Sequence, residues 1–98
     1  MTIDRRVRFT EDFFDRLEGL LPEERGADGT PSVTDFIAFE LPPIRDRLAQ
    51  DALGATVPTL LPDVRACIGT GVMFSAFVVY VRVDEHEVEA FWVSFDVR

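Results

Sequence analysis

Residues 72–83, VMFSAFVVYVRV, decide the fold. The run is almost continuously apolar, β-branched and aromatic. Three polar residues follow, Asp84, Glu85 and His86, and residues 88–97, VEAFWVSFDV, are again strand-like. Two such runs across a short polar break predict an antiparallel hairpin, and the first is too apolar for a sheet edge. With the turn centred on Glu85 and His86, Arg82 and Glu89 become cross-strand neighbours and a surface ion pair. In the last strand, alternation puts Phe91, Val93, Phe95 and Val97 on one face and Trp92, Ser94, Asp96 and Arg98 on the other. The first set is expected beneath helices. The second then faces out or into a groove, where Trp92, joined by Tyr80 from the neighbouring strand, either anchors a partner or is covered by a loop or the chain's own C-terminal side.

Working back from the hairpin, Gly69, Thr70 and Gly71 read as a turn and residues 64–68, VRACI, as a short strand. Residues 56–61, TVPTLL, form another candidate, which Pro58 places on an edge or outside the sheet. The front of the chain is different. Residues 5–10 alternate, with Val7 and Phe9 on one side and Arg6 and Arg8 on the other, and predict a first strand. Thr10 has the character of an N-cap, and Glu11 and Asp12 favour the first helical turn. Phe13, Phe14, Leu17, Leu20 and Leu21 recur at helical spacing, with Asp15, Arg16 and Glu18 on the wet side. A loop is expected at 23–31. Ser32 or Thr34 would cap a second helix carrying Val33, Phe36, Ile37 and Leu41, with Glu40 interrupting its apolar stripe. Pro42 and Pro43 are expected to break or kink it, Pro43 opening a third helical segment that Gly54 stops.

The resulting expectation is a single α+β domain over residues 1–98. It has an N-terminal strand, two or three helices, then a C-terminal antiparallel sheet with the helices on one face.

Charge narrows the function. The formal net charge is −8, and every basic residue is arginine. The acidic excess is spread along the chain, so the basic footprint of a nucleic-acid binder is missing from the composition. The balance favours a protein partner with a basic surface, or serves simple solubility. No stretch has the length and purity of a membrane span, and Met1 to Arg6 hold no apolar signal core, so a cytoplasmic protein is the expectation. Cys67 is the only cysteine, set among Val64, Ala66 and Ile68, and reads as a buried structural thiol. His86, the only histidine, sits beside Asp84, Glu85 and Glu87 in a turn of solvated acids. No cofactor or metal motif is legible.

Taken in order, these segments resemble the RelE/ParE-like toxins of bacterial type II toxin–antitoxin systems. The resemblance rests on Val7-Arg8-Phe9-Thr10, the acid-capped Glu11–Leu17 segment, and Ile44-Arg45-Asp46-Arg47-Leu48. It continues through a Leu-Pro-x-x-Arg element at Leu61–Arg65 to the strand ending Val78-Val79-Tyr80 and the last strand. It implies a toxin held by an antitoxin segment, acting on the ribosome or on gyrase. If the chain is an enzyme, the resemblance implies a ribosome-dependent mRNA endoribonuclease, with Arg65 on the scissile phosphate from the open sheet face and Arg82 or Arg98 assisting. The family's basic residue before the strand tyrosine is replaced by Phe74-Ser75-Ala76-Phe77, and the last strand ends Ser94-Phe95-Asp96-Val97-Arg98. Those departures favour a relative that acts by binding a protein, through the face of Trp92, Tyr80, Ser94 and Asp96, or a degenerate member that has lost the activity. Charge alone supports an alternative, a small acidic inhibitor or immunity-type protein filling the basic groove of a nuclease or another enzyme. A homodimer through the sheet is a third arrangement.

Overall fold

The computed structural model describes residues 4–69, 74 and 76–95. Strand β1 (Arg6–Phe9) leads into helix α1 (Glu11–Leu20). A loop follows, then an unbroken helical run composed of α2 (Val33–Asp35), a π-helical turn (Phe36–Glu40) and α3 (Leu41–Asp51). Strands β2 (Val57–Pro58), β3 (Arg65–Gly69), β4 (Phe77–Val83) and β5 (Glu87–Phe95) complete the fold. The sheet order is β1-β5-β4-β3-β2. It is mixed, since β1 runs parallel to β5 while the other neighbours are antiparallel. The apolar β4 is central, and Pro58 lies on the β2 edge, where its missing N–H costs no ladder bond. No helix among the described residues is long and apolar enough to cross a membrane.

Local chemistry explains the helix ends. The Thr10 hydroxyl accepts the Phe13 N–H, and Ser32 and Asp35 form a reciprocal capping box. Arg25 reaches from the loop to hold both Asp35 oxygens, Nη2 to Oδ1 at 2.7 Å and Nε to Oδ2 at 3.1 Å. This pairing, with the Ser32 N–H, holds the Asp35 carboxyl well below the usual carboxylate range.

The prolines do not interrupt the helix as expected. The chain widens into a π turn, with the Leu41 N–H donating to the Phe36 carbonyl. Pro42 and Pro43 then fall in the first turn of α3, where a missing N–H is tolerated. Glu40, the one polar member of the apolar stripe, is buried along with Phe36, at 2% exposure.

One side of the sheet carries the core. Val79, Val81, Val88, Ala90 and Val93 pack beneath Phe13 and Leu17 of α1, Phe36 of the π turn, and Ile44 and Leu48 of α3. Phe36 is the hub, with ring contacts to Phe13, Phe74, Phe77 and Phe95. Cys67 is fully buried here, and burial pushes its thiol pKa up.

Candidate functional site

Among the described residues no helix lies on the other side of the sheet, and its side chains fall into rows set by strand register. Partners across a ladder share a face. Val57 pairs with Ala66, Ala66 with Tyr80, and Tyr80 with Trp92, so one apolar and aromatic row crosses β2, β3, β4 and β5. The next row joins Ile68, Val78 and Ser94. Ile68 is 59% exposed, Val57 47% and Trp92 41%, a large apolar presentation for a sheet surface.

On the opposite flank of the aromatic row, toward the β4–β5 turn, the chemistry changes. Arg8 pairs with Glu89, and Glu89 with Arg82. Arg8 Nε donates to Glu87 Oε1 at 2.8 Å, its Nη2 bonds Glu89, and Arg82 Nη1 donates to Glu89 Oε1 at 3.1 Å. The expected Arg82–Glu89 neighbours are therefore present. Beside them lies a shallow concavity of about 240 Å³ lined by Asp63, Arg82, Val83, Asp84, Glu87 and Glu89. Asp84 Oδ1 accepts the His86 and Glu87 N–H groups, which lowers the pKa of its carboxyl and keeps it ionised. Larger open clefts lie elsewhere: one of about 420 Å³ between α1 and α2, beside Leu21 and Val33, and one of about 550 Å³ at the start of β1, beside Arg5 and His86.

Phe91 departs from the expected alternation. The register slips between Tyr80 and Val81, so that Tyr80 faces Trp92 while Val81 faces Ala90. Phe91 is the extra residue of a β-bulge. Before it the core positions are Val88 and Ala90, and after it Val93 and Phe95. Phe91 is thus not under the helices. Its ring lies beneath the Arg82 guanidinium, 4.0 Å from the ring centroid. The bulge brings Trp92 onto the open face in line with Tyr80, as expected, but by a different route.

Arg16 also leaves its expected wet position. Strand β1 ends at Phe9, so no strand covers the outer edge of β5 beyond Ala90 among the described residues. Arg16 reaches over that edge, its Nε donating to the Val93 carbonyl at 3.2 Å and its guanidinium lying 4.5 Å from the Trp92 ring. An unpaired strand edge invites pairing by another chain, and the arginine blunts it.

Arg65 sits on the other side of the sheet from the one expected. It pairs with Val81 and shares the covered face with Cys67. Its Nε donates to the Thr56 hydroxyl at 2.7 Å, and its Nη2 donates to the Thr56 carbonyl at 3.0 Å and toward the Leu53 carbonyl at 3.4 Å. It therefore ties β3 to the chain leaving α3. The parity of Cys67, two residues on, carried the signal for this placement. Tyr80, Trp92 and Ser94 share the open face, whereas Asp96 and Arg98 lie outside the described residues. Ile68, Val57 and Val78 were not singled out from sequence. Their signal is the alternation of Ile68 with the buried Cys67 and of Val78 with Val79.

Compared with known proteins, the chain matches no family model, no curated protein sequence and no solved structure.

Proposed function

We propose that this chain is a protein-binding relative of the RelE/ParE-like toxins, which grips a target or an antitoxin on its uncovered sheet face instead of cutting RNA. The observation that carries this reading is the composition of that face. Two adjoining rows, Val57-Ala66-Tyr80-Trp92 and Ile68-Val78-Ser94, offer apolar and aromatic surface of the kind that anchors proteins. Phosphate chemistry would need cations turned toward the substrate. Arg8 and Arg82 are instead engaged with Glu87 and Glu89, and Arg65 faces the helix side.

The test is induction of the chain alone in a bacterium. Growth arrest is expected, with arrest lost in Trp92→Ala and kept in Arg65→Lys. Harmless expression of the natural chain contradicts the toxin reading, and loss of arrest in a folded Arg65→Lys chain restores a role for that cation.

The second reading, an acidic inhibitor, has its own observation. Glu11, Asp12, Asp15 and Glu18 are all exposed on α1, and Glu23 and Glu24 extend the acidic surface into the loop. That ridge would seat in a basic groove, and it predicts harmless expression.

A further inference from the structure

The open face joins two chemistries in a fixed order. Passing along β4 from its turn, one meets the acidic concavity, the charged row at Arg82, the aromatic row at Tyr80 and the aliphatic row at Val78. Same-face residues along a strand are about 7 Å apart. The three rows and the concavity therefore extend over about 20 Å, the length of about 14 helical residues at 1.5 Å each.

The charge along this track is uneven. Asp63, Asp84, Glu87 and Glu89 line the concavity against Arg82 alone, and Glu85 stands 93% exposed in the adjoining turn. Arg8 offsets part of this from the β1 side. The whole chain carries −8. A surface of this sign repels a second copy of itself, a nucleic acid and an anionic membrane, and attracts a cationic segment.

We infer that the open face docks a cationic amphipathic segment of another protein, its apolar side chains on Trp92, Tyr80, Val78 and Ile68 and its Lys or Arg side chains toward the concavity at Asp63 and Asp84. The inference rests on the protein-binding reading of this face and adds the chemistry of the partner. Apolar contact supplies affinity, and the carboxylates select the sign and orientation of the incoming segment. Arg16, stacked on Trp92, gives the aromatic ring a fixed orientation before the partner arrives.

The chain carries its own reporter, because Trp92 is its only tryptophan. The test titrates the natural chain with two synthetic tryptophan-free peptides of 16 residues that share a leucine face, one with lysine and one with glutamate on the polar face. The lysine peptide is expected to shift Trp92 emission saturably and in a salt-sensitive way, and the glutamate peptide to leave it unmoved. Ile68→Asp, with its folding checked by urea unfolding, is expected to weaken the lysine peptide by at least about tenfold. Val57→Asp serves as a second probe of the same face. Asp63→Lys is expected to weaken the complex by about threefold to tenfold, which is the scale of one exposed charge reversal.

Undiminished lysine-peptide binding by both aspartate variants would mean diffuse attraction to an acidic chain and would overturn the inference. Binding of the glutamate peptide, lost in Ile68→Asp, would overturn the cationic assignment while leaving the face as a docking surface. If neither peptide moves Trp92, the protein-binding reading falls as well. Concentration-dependent emission without peptide, with a dimer in sedimentation, would assign the face to a second copy and overturn the cationic partner.

Discussion

The two faces of one sheet are built from the same strands, yet they are filled by different rules. On the covered face, Val79, Val81, Val88 and Val93 are wholly buried and meet the aromatic hub at Phe36. On the open face, Trp92, Ile68 and Val57 present comparable apolar bulk to solvent, next to a row of ion pairs. Burial rewards apolar residues on the first face, so their presence there needs only folding as its cause. It gives the second set little, and this contrast is the basis for assigning binding to that face.

The contrast can be broken most easily by truncating the hub. Phe36→Ala is expected to cost about 3–5 kcal/mol in urea unfolding, because it removes a fully buried ring from four aromatic contacts. Ile68→Ala on the open face should stay within about 0.5 kcal/mol of the natural chain. Equal losses at the two sites would erase the distinction.

Arg65 sharpens it next. As a tie between β3 and the end of α3, Arg65→Ala should cost about 1–2 kcal/mol in the same assay and leave Trp92 emission unchanged. A stability-neutral Arg65→Ala would reopen its functional assignment.

The loop latch gives a pH signature. Asp35 has a folded pKa depressed below its unfolded value, chiefly by Arg25. Its contribution is therefore complete above the unfolded carboxylate pKa of about 4 and is lost as pH falls toward the folded value. Urea midpoints of the natural chain should drop between about pH 5 and 2, and Asp35→Asn should show a shallower drop from a lower starting point. Parallel curves would show that Asp35 is not the group responsible.

The smallest effect belongs to the charged row. A double-mutant cycle on Arg82 and Glu89 should return less than about 1 kcal/mol, since both side chains keep substantial contact with water.

Much of this arrangement was legible in the chain, and the failures have identifiable causes. The central position of β4, the Thr10 cap, the edge at Pro58 and the Arg82–Glu89 register all follow from local pattern, and the structure has each of them. The parallel pairing of β1 with β5 joins distant segments and leaves no local trace. The bulge at Phe91 shifts strand parity by one residue, which alternation alone does not register. The π turn likewise adds one residue to a helical period, which lets the helical run pass into Pro42 and Pro43 without the expected break. The site was partly readable: Trp92, Tyr80 and Ser94 followed from parity. Ile68 and Val57 needed the pairing of β2 and β3 to place them beside those residues.

The most direct measurement pairs two readouts on Ile68→Asp, the urea midpoint of the purified chain and the growth curve on induction. The expected result is a cooperative urea transition with an unfolding free energy within about 1 kcal/mol of the natural chain together with loss of the arrest that the natural chain causes. Arrest that persists in a fully folded Ile68→Asp chain would contradict the assignment of binding to the open face.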